Sequence, residues 1–228
     1  MENLDEKLIV SRETLSDLKS YQSLLVEWQD KFNLVSKSSL PDAWNRHFLD
    51  SAQLLKYIPE GAQNMIDFGS GAGFPGLVLA VMVKNRTPYL NITLVESIRK
   101  KTLFLNEVAN RLNLQVRIVN DRIENLPKQC VDVITSRAMC SLDKLLSYAF
   151  PFCYKQTTCL FPKGVKWQEE LNMAKKLFNF DYRAVDSLLS EEGKILIITN
   201  IKPKGEKKCL EYWQSQIAKV VLEKPLQQ

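Results

Sequence analysis

The residues best suited to chemistry lie in one stretch, Met65-Ile66-Asp67-Phe68-Gly69-Ser70-Gly71-Ala72-Gly73-Phe74-Pro75-Gly76. An apolar run ends near an acid and passes into four glycines. Glycines at this density allow a tight turn and let the backbone approach a ligand that a Cβ would hold off. The next apolar run ends at Glu96, where a carboxylate can accept both hydroxyls of an adenosine ribose. Gly71-x-Gly73-x-x-Gly76 has the spacing of a dinucleotide fingerprint, but that register begins two residues too late after the apolar run. Registered on Asp67, the stretch reads D-x-G-x-G-x-G through Gly73. An acid there repels a pyrophosphate and favours the cationic methionine part of S-adenosylmethionine, directly or through water. The methyl donor is therefore the preferred ligand, with a nicotinamide cofactor as the rival.

Few other side chains carry reactive chemistry. The chain has one histidine, His47, which removes every multi-histidine metal site. Its five cysteines, Cys130, Cys140, Cys153, Cys159 and Cys209, are odd in number and form no C-x-x-C pair. That excludes a zinc ribbon and a disulfide framework and predicts reduced thiols. Cys140 follows the fourth apolar run and raises the idea of covalent pyrimidine methylation, but no proline-cysteine motif surrounds it. Arg137 follows the same run, where it faces the reacting end of a ligand or forms a salt bridge to Asp67 or Asp50. Lys163 stands between Pro162 and Gly164, placed to be exposed beside the cleft as a phosphate or base contact. In Arg46-His47-Phe48-Leu49-Asp50-Ser51, helical spacing pairs Arg46 with Asp50 and His47 with Ser51, for docking or for a base pocket. Arg99, Lys100 and Lys101 open a helix, as a solvated first turn or as a phosphate-binding rim.

The elements that must position these groups follow from periodicity. Apolar residues Leu15, Leu18, Tyr21, Leu24, Leu25, Trp28 and Phe32 make one stripe of a helix over 14–34. A second helix is predicted over 41–58, started by Pro41 and ended by Pro59 and Gly61. Short β-rich runs follow at 64–68, 91–96, 115–120, 130–136, 157–162 and 194–200, with amphipathic stretches such as 98–113 between them. That alternation predicts an α/β, doubly wound, mostly parallel sheet whose ligands bind beyond the carboxyl ends of the strands. The 228 residues divide into a helical cap (1–60), a donor-binding domain (61–201) and a lysine-rich extension (202–228), read as a linker and terminal helix or as a basic arm. The formal charge of +5 is compatible with a polyanionic partner. The opening MENLDEKLIVSRE lacks the apolar core of a signal peptide, and no apolar run approaches ~20 residues. A soluble, cytoplasmic, monomeric chain without metal or membrane partner is expected.

Beyond the glycine loop, five segments are distinctive: WQDKFNLVS (28–36), RHFLDSAQL (46–54), ESIRKKTLFLNEV (96–108), SRAMCSL (136–142) and PKG (162–164). Over roughly residues 20–200 the chain resembles the glucose-inhibited division protein B family, the ribosomal RNA small-subunit methyltransferases G. The resemblance implies methyl transfer from S-adenosylmethionine to N7 of one guanine in 16S ribosomal RNA, with the RNA or the small ribosomal subunit as partner. It implies a donor site at Gly69, Gly71, Phe74, Ile123, Glu124 and Arg137, with Glu96 on the ribose, and makes Arg137, Lys163 and Arg46 the candidate catalytic residues. Guanine N7 already carries an in-plane lone pair, so no general base is required and positioning dominates. The family commonly has an arginine at the start of its last strand, where this chain reads Glu192-Gly193-Lys194. Lys194 replaces the charge but not the bidentate fork, and the basic extension is a candidate compensation, testable by cutting after 201. A small-molecule methyltransferase and a catalytically idle RNA-binding module are the remaining alternatives.

Overall fold

The computed structural model describes residues 10–84 and 90–205. Helix α1 (Arg12–Phe32) starts where the Ser11 hydroxyl accepts the Thr14 N–H at 3.2 Å and ends at left-handed Asn33. The second cap segment, α2 over 44–57, is not the single α-helix that its periodicity predicts. It runs as π-helical Trp44–Leu49, α-helical Asp50–Ala52 and 3-10 Gln53–Tyr57. In the π turn the Asp50 N–H reaches back five residues to the Asn45 carbonyl. The expected Arg46–Asp50 pair does not form, since Arg46 donates to the Ser38 carbonyl and Asp50 pairs with Arg137, whereas the Ser51 hydroxyl does reach His47, at its carbonyl, at 2.6 Å.

The sheet has seven strands in the order β3-β2-β1-β4-β5-β7-β6. They are β1 (Asn64–Phe68), β2 (Asn91–Val95), β3 (Val116–Val119), β4 (Val133–Ser136), β5 (Thr158–Lys163), β6 (Phe178–Ser187) and β7 (Ser190–Pro203). The first five are parallel, joined by crossovers that contain α3 (Gly76–Val83), α4 (Arg99–Arg111) and α5 (Leu142–Ala149). After α6 (Trp167–Leu177) the chain makes a hairpin, and β7 enters antiparallel between β5 and β6. Strand order reverses at β1, which pairs with β2 on one side and β4 on the other. A crevice therefore opens beyond the carboxyl ends of β1 and β4.

Two apolar layers enclose the sheet. On one face Leu18, Tyr21 and Phe48 of the cap join Leu77, Leu94 and Phe104 in one cluster. On the other, Phe68 and Ile134 pack with Leu145, Phe161 and Leu171. All eight residues of α3 are buried, because this helix lies between the cap and the sheet. The β6 strand was absent from the sequence expectation, and the run at 130–136 becomes strand only from Val133. Asp132 instead turns its carboxylate to the N–H groups of Gln63 and Asn64, at 2.8 and 2.9 Å. The expected terminal helix through Tyr212, Trp213, Ile217 and Val220, and Cys209, lie outside the described residues.

Candidate methyl-donor and substrate site

The strand–loop–helix unit from β1 to α3 builds the floor of a cavity of about 530 Å³. Gly69, Gly71, Phe74, Glu96, Ile123, Glu124 and Arg137, the seven residues picked from the sequence for donor binding, all line it. At Gly71 φ is 59°, and a Cβ would meet no protein atom closer than the Gly69 carbonyl oxygen at 3.8 Å; it would project into the cavity. At Gly73, with φ 94°, a Cβ would instead collide with the Tyr21 hydroxyl and lie 2.7 Å from Leu77. At Gly71 the missing side chain keeps the cavity open, and at Gly73 it makes room for the cap helix. Tyr21 also donates its hydroxyl hydrogen to the Ala72 carbonyl, tying α1 to the loop.

Glu96 is 5% exposed, and its two oxygens accept the Gly71 N–H at 2.9 Å and the Ile98 N–H at 2.8 Å. Each oxygen keeps a second acceptor position, which suits a pair of ribose hydroxyls. Ile123 and Glu124 begin a 3-10 turn just after β3 and form the opposite wall. A glycine cradle, a fixed carboxylate acceptor and an apolar wall fit an adenosine-containing methyl donor.

Asp67 departs from its expected role. It is fully buried, outside the cavity wall, with Oδ1 accepting the Thr135 hydroxyl at 2.7 Å and Oδ2 the Gly76 N–H at 3.2 Å. Burial pushes its carboxyl up to about 6. It shapes the loop from beneath and does not face the ligand.

Arg137 stands where the donor cavity meets a second cavity of about 1290 Å³, and both are lined by Arg137, Ala138, Met139 and Cys140. Its Nη1 donates to the Arg46 carbonyl at 2.8 Å and to Asp50 Oδ2 at 3.3 Å, and Nη2 donates to His47 Nδ1 at 2.9 Å. The guanidinium lies over the Phe74 ring at 5.2 Å, and that ring also stacks on His47 at 5.0 Å and on Tyr21 at 5.5 Å. Of the two ion-pair partners expected for Arg137, the structure selects Asp50. Burial and the Arg137 and Arg46 charges hold His47 at about 4, so the imidazole is neutral near pH 7.

The second cavity is lined by Arg46, Lys163, Glu170, Asp186, Leu188 and Lys194 among others. Lys163 is not the exposed lysine that its Pro-Lys-Gly context suggests. Its side chain is 7% exposed and its ammonium donates to Glu170 Oε2 and to the Cys140 carbonyl, each at 2.8 Å. A buried ammonium needs such partners. One N–H remains for a ligand, so Lys163 contributes from the cavity wall. Arg46 is exposed and donates to the Ser38 carbonyl at 3.4 Å. Lys194 pairs with Asp186. Arg99 and Lys100 are exposed, and Lys101 reaches the donor cavity. Burial pushes the Cys140 thiol up to about 11, which disfavours a thiolate nucleophile.

Sequence reasoning missed Glu170 as the partner of Lys163, and it read Tyr21 only as a core residue. It also missed Gln53, whose amide donates to Ser187 Oγ at 3.2 Å and accepts the Leu188 N–H at 2.9 Å, tying α2 to the β6–β7 turn. Among the described residues no group of three or more His, Cys, Asp or Glu could hold a metal ion, and no helix is long and apolar enough to cross a membrane.

The fold resembles that of an S-adenosylmethionine-dependent methyltransferase from Aquifex aeolicus, with a TM-score of 0.53 at 17% identity over 70% of this chain and 92% of that one. The chain is 44% identical over 200 residues to the ribosomal RNA small subunit methyltransferase G of Paramagnetospirillum magneticum, covering 88% of this chain and 95% of that protein. It is 42% identical over 200 residues to the protein of the same name from Parvibaculum lavamentivorans, covering 86% and 88%. The family model of rRNA small subunit methyltransferase G matches residues 14–209. The chain therefore belongs to the GidB family, the rRNA small subunit methyltransferases G.

Proposed function

We propose that the chain transfers the methyl group of S-adenosylmethionine to N7 of one guanine in 16S ribosomal RNA, using Arg137 as the hinge between a donor cavity and an RNA cavity. The observation that carries this reading is the junction itself: the wall Arg137–Cys140 belongs to both cavities. When bound, the donor supplies an electrophilic sulfonium methyl. Gly69, Gly71 and Phe74 bed it, Glu96 accepts from its ribose, and Ile123 and Glu124 flank its adenine.

The target nitrogen needs no deprotonation, so no side chain acts as a base. Catalysis reduces to orientation of a flipped-out guanine beside Arg137 and Lys163, with Arg46 at the rim as a phosphate contact. Asp50 and Glu170 neutralise Arg137 and Lys163 in the wall of the second cavity, which limits repulsion of the positive charge that moves onto the base during transfer. A cavity of about 1290 Å³ exceeds the roughly 300–1,000 Å³ usual for small-molecule sites, which supports a polynucleotide over a small substrate.

In this reading 1–60 is the cap that roofs the site, 61–201 the catalytic domain and 202–228 an arm that supplies phosphate contacts in place of the missing arginine. The protein works as a cytoplasmic monomer without metal. Lys202 and Pro203 pair with Asn179 and Phe178 in the sheet, so the arm is tested by cutting after 205 and not after 201. The function is tested by transfer of labelled methyl groups to unmodified small subunits and to their extracted RNA, followed by borohydride–aniline cleavage. One cleavage site is expected. Donor binding without transfer to either RNA substrate would overturn the assignment in favour of a small-molecule acceptor.

A further inference from the structure

The geometry points to His47 as the positioning residue of Arg137: a neutral imidazole held as the Nε2–H tautomer, so that its Nδ1 lone pair fixes the guanidinium at the boundary of the two cavities. This rests on the reading of Arg137 as part of the methyl-transfer site. The proton direction follows from partners that have no choice. A guanidinium has only donors, so Nδ1, at 2.9 Å from Arg137 Nη2, must accept. The ring's one hydrogen then sits on Nε2 and donates to Ser39 Oγ at 2.9 Å. The Ser39 hydroxyl in turn donates to the Ser36 carbonyl at 2.8 Å, so its oxygen accepts, from the ring and from the Ser36 hydroxyl at 2.9 Å. Each link fixes the next, from the 36–39 turn to the guanidinium.

The arrangement also explains why a cation is held beside a histidine. Asp50 and the Arg46 carbonyl take the Nη1 edge, and His47 takes one hydrogen of Nη2. Three of the five N–H bonds are thereby used to aim the group, leaving two for a ligand. The imidazole stacks on Phe74 with its plane within 25° of that ring, and the guanidinium lies over the same ring. The π turn over Trp44–Leu49 supplies the required offset, since it presents His47 and the Arg46 carbonyl to the same guanidinium. Rotation of the imidazole to expose Nε2–H or Nδ1–H to Arg137 would place a donor against a donor.

Two variants separate this role from packing. In His47→Asn the side-chain oxygen stands the same number of bonds from the backbone as Nδ1, and it preserves the acceptor. His47→Phe preserves the ring on Phe74 and removes the acceptor. The Kd for S-adenosylmethionine is expected to stay within about threefold in His47→Asn and to weaken roughly tenfold or more in His47→Phe, the usual range for a lost hydrogen bond to a charged group. Equal effects in both variants would overturn the inference. Because the chain has one histidine, the ring ¹⁵N spectrum of the full-length protein gives one pair of signals. Protonated Nε2 and unprotonated Nδ1 are expected near neutral pH without ligand, and an Nδ1–H tautomer or an averaged pair would refute the arrangement. If the wild type binds no donor at all, the methyl-transfer reading fails by itself, and the ¹⁵N spectrum still decides the tautomer.

Discussion

Replacement of Asp67 by asparagine is the sharpest test of how the glycine loop is held. The carboxyl is fully buried and its pKa rises from the usual 3.8 to about 6. A raised acid pKa means that the folded chain still binds a proton where the unfolded chain has released it, so stability falls as pH climbs between those values. The free energy equivalent of the rise is about 3 kcal/mol. Asparagine removes this cost and keeps both contacts, since its oxygen accepts the Gly76 N–H and its amide donates to Thr135 Oγ1. The urea-denaturation free energies of Asp67→Asn and wild type should therefore be nearly equal at about pH 4. The variant should gain up to about 3 kcal/mol by about pH 8. The His47 titration acts in an overlapping window with the opposite sign, but it is common to both proteins and cancels in the difference. A difference that does not change with pH, or a variant less stable than wild type at pH 8, would refute the reasoning. Calorimetry supplies the second half of the test: Asp67 does not line the cavity, so donor affinity should change less than about threefold. A hundredfold loss would restore Asp67 to the ligand's side of the loop.

Three further outcomes follow from the same geometry. Gly71→Ala places a methyl group in the donor cavity and forces a left-handed backbone onto a side chain, so donor binding should fall at least tenfold for a stability loss near 1 kcal/mol, read by calorimetry and thermal melting. Glu170→Ala strips Lys163 of its carboxylate and the Leu142 N–H of its acceptor, and should cost about 3 kcal/mol in chemical denaturation; a loss below 1 kcal/mol would mean that Lys163 finds water instead. His47 titrates at about 4 in the folded chain against 6.5 unfolded. Its contribution is therefore intact above pH 6.5 and is lost as pH falls towards 4, so the stability gap between wild type and His47→Asn should narrow in acid.

The glycine loop and the Glu96 carboxylate of the donor cavity were legible because they are local, whereas Ile123, Glu124 and Arg137 came from the family resemblance alone. A strand that runs into Gly69, Gly71 and Gly73, and an acid at the end of the next strand, are set by short-range rules of turn and strand. Arg46, Arg137, Lys163 and Lys194, singled out in the sequence, all line the second cavity, but its shape was not legible, because its walls are brought together from α2, β4, β5, α6 and the β6–β7 turn. Nothing near Lys163 in the chain reveals that Glu170 and the Cys140 carbonyl take its ammonium. The β6 strand escaped because Phe178–Ser187 is an edge strand, largely exposed and rich in polar residues, whose ladder depends on β7. The π turn in α2 escaped for a different reason. Its apolar pattern suits an ordinary α-helix, and the offset shows only in backbone bonding such as that of Asp50 N–H to Asn45. Asp67 was placed on the correct strand but on the wrong side of the loop, since sequence spacing does not tell which way an end-of-strand side chain turns.

Helix α3 has no polar face, and its eight residues are all covered. Such a helix is a hazard while a protein is being made, because it cannot rest in water until two partners arrive. Synthesis runs from the N-terminus, so α1 and α2 have left the ribosome before α3 appears, whereas β2, β4 and β5 follow it. The cap thus offers Leu18, Tyr21 and Phe48 as the first shelter for α3 while most of the sheet is still unmade. With the same elements but the cap moved to the far end of the chain, that helix would stay uncovered through the whole synthesis of the sheet.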